Sequence, residues 1–174
     1  SLKTTFIARA SDGLILCESY DQTTDNVTEK LKHSGRDLLR KSPVRVTQTS
    51  QIKFKVQLTR RSQISLQIEN GIIYLNLAES SYPQKLAFLF LQDIANHFLS
   101  DFKTPMELQA VLIIKVISSV LKALINPQVE RVINKKRKEY RDAGAKDNID
   151  KLNRELLDVK NIMTESFEIL LNRD

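Results

Sequence analysis

Cysteine, histidine, glycine and proline are all scarce in this chain. Its 174 residues include one cysteine, two histidines, four glycines, four prolines and no tryptophan. The single cysteine, Cys17, excludes an internal disulfide framework and is typical of a reducing compartment. It cannot complete a metal site with His33 and His97 unless carboxylates contribute. So few glycines and prolines also argue against a long all-β protein with many tight turns.

Signatures of catalysis are missing too. The sequence contains no phosphate-binding glycine loop, no G-x-S-x-G and no H-E-x-x-H. The acidic residues that could pair lie at or near the ends of predicted strands, where solvated carboxylates are ordinary: Asp12, Glu18, Asp21, Glu69 and Glu79. We therefore predict no catalytic residue, no cofactor and no metal, and a protein that is not an enzyme.

No apolar run reaches the ~20 residues that a membrane-spanning helix requires. The longest candidate, Ala110–Ile125, is interrupted by Lys115 and Lys122. Apolar residues surround this predicted helix on nearly every side, which normally means full burial. We expect either the rest of the domain or a second copy of the chain to cover it, so 106–125 is a candidate dimer contact.

Positive charge is in excess. The net charge is +6 and the pI is about 9.4, which indicates an acidic protein, a membrane surface or nucleic acid as a partner. The densest block is "KKRKEYR", Lys135–Arg141. A solvated helix face explains that block equally well. No RNA-recognition signature, zinc spacing or aromatic interleaving accompanies it, so nucleic acid is not predicted.

The order of predicted elements indicates the fold class. Two β runs around Asp12-Gly13 read as a hairpin, and a helix follows over about Asp25–Lys41. Three more β runs come next, and Pro83 opens a helix that reaches about Leu99. A further helical region, 104–141, is predicted to break near Asn126–Pro127.

This order predicts an α+β domain. We expect a five-stranded, mostly antiparallel sheet with helices on both faces. The helix over 25–41 would cover one face and the helix over 83–99 the other.

The last segment of the chain has the rhythm of a coiled coil. Its seam residues are Ile149, Leu152, Leu156, Val159, Met163, Ser166, Leu170 and Arg173. They follow one another at alternating steps of three and four residues, which keeps one stripe facing a partner. Periodicity alone favours neither an intermolecular bundle nor docking on the chain's own domain. Arg173 in the seam favours the bundle, because a buried charge costs several kcal/mol without partners and polar seam residues fix register.

Four stretches carry a resemblance to a known family. "LNRELLDVKNIMTESFEILLNRD" resembles the N-terminal half of an R-SNARE motif, with Arg173 at the central ionic layer. Upstream, "IARASDGLILCES", "YLNLAESSYPQKLAFLFLQDI" and "KEYRDAGAKDNIDKLNREL" are similar to the longin-domain R-SNAREs of endoplasmic reticulum–Golgi transport. The pieces occur in the right order over roughly the whole chain.

The resemblance implies a domain organisation and a function. Residues 1–141 would form a profilin-like longin domain, 142–148 a linker, and 149–174 the first half of the SNARE motif. The seam residues would be layers of a four-helix bundle with three Q-SNARE helices, each giving a glutamine to Arg173. The protein would dock and fuse vesicles, and its longin domain would regulate assembly or sorting. It would act at the cytoplasmic face of endoplasmic reticulum, Golgi and transport-vesicle membranes.

Two departures from the family bear on partners. Ser166-Phe167-Glu168 stands where the family commonly has Asn-Ile-Glu, a triplet that contributes to a folded-back form recognised by coat proteins. Recognition by COPII coat proteins is therefore only a candidate interaction. We also expect the chain to be truncated, with the second half of the motif and a membrane anchor beyond Asp174.

A folded-back form needs a docking surface on the longin domain. The candidate fold-back groove consists of Val27, Leu31, Leu38, Ile52, Phe54 and Val56. The competing hypothesis is a longin- or profilin-like adaptor, or a subunit of a trafficking complex, whose terminal helix only docks on its own domain.

Overall fold

The computed structural model describes residues 2–10, 15–20, 52–57, 60–101, 118–154 and 163–166. In chain order its elements are β1 (Leu2–Arg9), β2 (Ile15–Tyr20), β3 (Ile52–Gln57), β4 (Ser62–Glu69), β5 (Ile72–Glu79), α1 (Gln84–Asp101), α2 (Ser118–Tyr140), α3 (Lys146–Arg154) and β6 (Met163–Ser166).

All six strands belong to one sheet, in the order β2-β1-β5-β4-β3-β6. The first five pair antiparallel with their neighbours, and β6 adds to β3 in parallel. The predicted α+β class and antiparallel sheet are confirmed. The sixth strand was not predicted.

The turn between β4 and β5 sets the register of the central hairpin. Asn70 and Gly71 both have positive φ, 52° and 77°. Two consecutive positive φ values are the signature of a type I′ turn, whose twist matches that of the flanking strands. Ile68 accordingly lies opposite Ile73, and Glu69 opposite Ile72.

Helices α1 and α2 pack side by side on one face of the sheet, α1 over β4 and β5 and α2 over β1 and β2. Helix α1 follows the predicted boundaries closely. Its first backbone bond runs from the amide of Ala87 to the carbonyl of Pro83, at 3.0 Å. The buried side chains of this layer include Ile7, Cys17, Tyr74, Leu86, Phe88, Phe90, Ile94, Phe98, Val129 and Ile133.

The opposite face of the sheet is lined by a second apolar cluster. Its buried members are Phe6, Ala8, Ile64, Leu66, Ile68, Ile73, Leu75 and Leu77. The helix predicted for this face, 25–41, lies outside the described residues. Strands β4 and β5 are buried along almost their whole length. On β4 the apolar residues lie on this second face, whereas Gln63, Ser65 and Gln67 are buried polar residues on the other face.

Helix α2 runs without interruption through Pro127, so the predicted break near Asn126–Pro127 is wrong. A proline inside a helix lacks the N–H donor and crowds the carbonyl four residues earlier, at a cost of about 3 kcal/mol. The helix continues because Val129, Ile133 and Tyr140 beyond the proline are buried in the core. Burying each such side chain contributes about 1.5–3 kcal/mol, which offsets that cost.

Only part of the candidate dimer contact 106–125 can be located. Residues 118–125 form the first turns of α2, and 106–117 lie outside the described residues. The dimer stays a prediction.

A buried arginine fixes α2 to the sheet. Arg137 is 3% exposed, and its Nη2 donates to the carbonyl of Ser19 at 2.8 Å and to its Oγ at 3.0 Å. The other terminal nitrogen, Nη1, donates to Oδ1 of Asn134 at 3.1 Å. One of the cations in the basic block therefore points into the protein and serves the fold.

Candidate partner interface

The segment with the predicted coiled-coil rhythm contacts the sheet through β6. Four residue pairs join the two parallel strands, from Phe54 with Met163 to Gln57 with Ser166. Strand β3 would otherwise end the sheet with a row of unpaired backbone groups. Adding a strand to such an edge is a common way of binding an extended segment.

This pairing brings together two predicted sets of residues. Met163 and Ser166 come from the seam, while Ile52, Phe54 and Val56 of the fold-back groove lie on β3. The remaining groove residues, Val27, Leu31 and Leu38, lie outside the described residues. The sequence predicts a continuous helix over 149–174, whereas the structure has a strand at 163–166. A backbone that bonds to β3 cannot at the same time bond within a helix.

Helix α3 contains the first two seam residues and lies elsewhere on the domain. It begins at Lys146, so the last three residues of the predicted linker 142–148 are helical. Leu152 packs against the core layer between the sheet and the helices. Ile149 faces solvent with 43% of its surface exposed.

Asn148 determines how α3 follows α2. Its side chain is fully buried, and Nδ2 donates to the carbonyls of Glu139 at 3.0 Å and Asp142 at 2.6 Å. The last carbonyls of a helix have no partner within the helix, so an amide donor there satisfies them. Between the two helices, the amide of Gly144 donates to Oδ1 of Asp142 at 2.9 Å. The chain therefore turns tightly.

Two lysines hold α3 against the domain. Lys85 on α1 donates from Nζ to the carbonyl of Leu152 at 2.5 Å. The ammonium of Lys151 lies 4.1 Å from the ring centroid of Tyr140, a cation–π contact. Together with Asn148, these residues form what we call the α3 dock: Lys85, Tyr140, Asn148, Lys151 and Leu152.

Tyr140 is itself tightly held. Its hydroxyl donates to Asp93, and its carbonyl accepts from the hydroxyl of Tyr82 at 2.6 Å. Burial, followed by the hydrogen bond to Asp93, raises the pKa of Tyr140 far above its ordinary range. The phenol therefore remains a donor, and its ring is a fixed platform for Lys151.

The described residues contain no cluster of side chains suited to holding a metal ion. No group of three or more histidine, cysteine, aspartate or glutamate side chains converges within them. Cys17 is buried, and burial, aided by the charges of Glu130 and Glu18, raises its pKa to about 12. A thiol that stays protonated is a poor nucleophile and a poor metal ligand. None of the described helices is both long and apolar enough to cross a bilayer.

Comparison with known proteins decides the family. Residues 16–112 match the longin family, described as a regulated-SNARE-like domain. The chain is 32% identical over 173 residues to the protein transport protein sec22 of Schizosaccharomyces pombe, covering 99% of this chain and 73% of that protein.

The chain belongs to the longin-domain R-SNAREs of endoplasmic reticulum–Golgi transport. Two further relatives of this R-SNARE are similar to it over nearly its whole length. The protein transport protein SEC22 of Saccharomyces cerevisiae is 30% identical to this chain, and the match covers 99% of this chain and 73% of the yeast protein. The vesicle-trafficking protein SEC22b of Xenopus tropicalis is also 30% identical, with 97% and 72% covered.

Membership of this R-SNARE family supports a SNARE role in vesicle traffic and favours it over the adaptor hypothesis. The structure describes four of the eight predicted layer residues, and they lie on two different elements. Ile149 and Leu152 lie on α3, and Met163 and Ser166 on β6. Leu156, Val159, Leu170 and Arg173 lie outside the described residues.

Sequence reasoning missed the α3 dock. Lys85 and Leu152 are 67 residues apart, and no local pattern links them. Asn148 did give a signal, since it is an uncharged polar residue at the start of an apolar seam. Polar residues in that position commonly cap helices.

Proposed function

We propose that this R-SNARE drives vesicle docking and membrane fusion by forming a four-helix bundle with three Q-SNARE helices. Residues 149–174 supply the layers, led by Ile149 and ending at Arg173. Burial of apolar surface releases about 25 cal/mol per Å². Layer after layer, that free energy draws two membranes together.

In the proposal, the longin domain regulates this assembly by holding part of the motif as a strand. The pairing of β6 with β3 is the observation that carries this part of the proposal. Met163 and Ser166 are layer residues of the bundle, and their backbone cannot join the helix until β6 leaves β3. Fold-back therefore slows the first encounter with Q-SNARE helices.

The α3 dock adds a second restraint at the beginning of the motif. Leu152 packs on the longin core, so it must leave that contact before it can serve as a layer. Ile149 is already exposed and is the layer available for first contact. We infer that zippering starts at Ile149 and proceeds by displacing Leu152 and then β6.

Arg173 sets partner choice in this account. A guanidinium presents five donors in a planar fork, so it can satisfy several glutamine carbonyls at once. Leucine at this position can make the bundle equally stable or more stable, because buried ionic groups are often costlier than apolar ones. What leucine removes is the discrimination against bundles in the wrong register.

The test is competition among sets of SNARE helices, made with Arg173→Leu in a complete motif. We expect the variant to assemble with wrong partners that the wild type rejects. Arg154→Leu is the matched control, since it removes an exposed arginine of the same motif. Equal fidelity of wild type and Arg173→Leu would refute the ionic-layer role.

We further propose that a membrane anchor follows the motif. It would place the protein at the cytoplasmic face of endoplasmic reticulum, Golgi and vesicle membranes. We also propose that COPII coat proteins recognise the folded-back form. Ser166 is the last residue of β6, and it begins the triplet that departs from the family's Asn-Ile-Glu. Coat binding should therefore depend on β6. Loss of β6 pairing that leaves coat binding intact would exclude recognition of the folded-back form.

A further inference from the structure

Three cations form a stripe along the outermost face of α2. Arg131, Lys135 and Lys138 follow one another at steps of four and three residues, which places them on one side of a helix. All three are exposed. The opposite side of the same turns carries Val129, Ile133 and Tyr140, which are buried in the core. We call Arg131, Lys135 and Lys138 the basic stripe.

The acidic groups near the basic stripe are engaged elsewhere. Glu139 accepts from Lys136 at 3.3 Å, and Asp142 accepts from the amide of Gly144. Glu130 is close enough to Cys17 for its charge to contribute to the raised pKa of that thiol. In the described part of the chain, no carboxylate forms an ion pair with a member of the basic stripe.

Helix stability does not account for the basic stripe. Cations near a helix C-terminus interact favourably with the helix dipole, but this effect fades beyond the last turn. Lys138 lies in the last turn of α2, whereas Arg131 lies more than two turns before its end at Tyr140. Like charges four residues apart, such as Arg131 and Lys135, destabilise a helix. An external anion would remove that repulsion.

We propose that the basic stripe binds the anionic surface of a lipid bilayer. Three aligned cations spanning about 10 Å of one helix face can reach a single flat layer of phosphate and carboxylate headgroups together. Nucleic acid is the less suitable partner, because Tyr140, the aromatic residue of this part of α2, is buried and unavailable for base stacking.

The position of the basic stripe in the fold fits this partner. Helix α2 lies over β1 and β2, at one end of the sheet, while β3 and β6 form the other end. A domain bound to a bilayer through α2 would leave the β3–β6 edge accessible. Membrane contact and release of the SNARE motif would then be compatible.

The proposal goes beyond SNARE assembly, and its test needs no SNARE partner. The chain is floated with vesicles of phosphatidylcholine alone or mixed with phosphatidylserine, at low and high salt. Arg131→Gln/Lys135→Gln/Lys138→Gln is compared with a control of equal charge loss, Arg60→Gln/Lys146→Gln/Arg154→Gln. The control residues are exposed and lie outside the basic stripe. Circular dichroism verifies that both variants fold.

We expect wild type and control to bind the mixed vesicles and to dissociate as salt screens the charges. Binding by the stripe variant should fall about tenfold or more. The proposal is overturned if wild type does not prefer phosphatidylserine vesicles, or if the two variants bind equally. It is likewise overturned if a short single-stranded oligonucleotide binds the basic stripe while vesicles do not.

Discussion

Arg137 shows that neighbouring residues of one basic block have different tasks. Its guanidinium is buried and bonded to Ser19 and Asn134, whereas the adjacent Lys138 is exposed. Hydrogen bonds to charged groups each contribute about 1.5–3 kcal/mol. The block "KKRKEYR" therefore combines an anchor of the fold with a charged outer surface.

We predict that Arg137→Ala lowers the free energy of unfolding by about 3 kcal/mol, because it removes these bonds and leaves buried oxygens unpaired. Lys138→Ala, one residue along, should stay within about 0.5 kcal/mol. Urea denaturation of both variants measures this. Equal effects would show that Arg137 is not the anchor.

The thiol of Cys17 should make the free energy of unfolding depend on pH in the alkaline range. Burial raises the pKa of its thiol from 9.0 to about 12, so the folded state holds this proton more tightly than the unfolded state. The stabilisation is complete below the unfolded pKa and is lost as pH rises towards the folded pKa. Between about pH 9 and pH 11, it should decline by up to about 1.4 kcal/mol per pH unit.

We predict that Cys17→Ala has a shallower loss of stability over this pH range than the wild type. Unfolding free energies at several pH values measure the difference. Parallel curves for the two proteins would contradict the raised thiol pKa.

At the scale of elements, sequence patterns predicted those that local chemistry specifies. The β runs of the sequence predicted β4 and β5, and Pro83 predicted the start of α1. Asn70-Gly71 forms the turn between the two strands, because asparagine and glycine tolerate positive φ. The continuous α2 and the strand β6 escaped prediction, because burial beyond Pro127 and the edge of β3 act over long sequence separations. The seam of 149–174 predicted a helix throughout, but residues 163–166 form a strand. Helical periodicity describes only the helical state, so it could not predict the pairing of these residues with β3.

The α3 dock predicts that one helix can be loosened without unfolding the domain. Lys85→Met with Lys151→Gln removes a charged hydrogen bond and a cation–π contact, together about 2 kcal/mol. Amide hydrogen exchange within α3 should speed up accordingly, while exchange in β5 stays unchanged. The control variant, Lys146→Gln with Arg154→Gln, removes two charges from the same helix and should change hydrogen exchange in neither α3 nor β5. Unchanged exchange in α3 of the first variant would exclude the dock.

Strand β6 can be tested through its backbone. Proline at 164 cannot donate an N–H and is poorly accepted within a sheet, whereas alanine keeps the donor. We predict that Thr164→Pro increases hydrogen exchange of β3, Ile52–Gln57, while Thr164→Ala leaves it slow. If both variants exchange alike, β6 does not protect this edge.

At the scale of the whole molecule, the two proposals place separate tasks at opposite ends of one sheet. The end with β1, β2 and α2 carries the proposed membrane contact, and the end with β3 and β6 holds part of the proposed SNARE motif. Between them, α1 and the central strands form a core that both ends share. The family could be predicted from the sequence, because the resemblance extends over the chain. The placement of the two proposed surfaces at opposite ends of the sheet could not, because it depends on the strand order.

The central claim is that residues 163–166 exchange between a strand on β3 and a helix in the bundle. Its most direct test is the rate of complex formation with three Q-SNARE helices, followed by the gain of helical circular dichroism. The comparison uses a complete motif in which residue 164 is threonine, alanine or proline.

Proline disrupts both states, so the rate is interpreted together with a chain lacking residues 1–140, which keeps the wild-type motif and cannot fold back. We predict that this truncated chain assembles faster than the wild type and that Thr164→Ala assembles at the wild-type rate. Thr164→Pro should slow assembly of the truncated chain, because proline disrupts the helix. It should slow the intact chain less, because there it also releases β6 from β3. Equal assembly rates with and without residues 1–140 would contradict the claim.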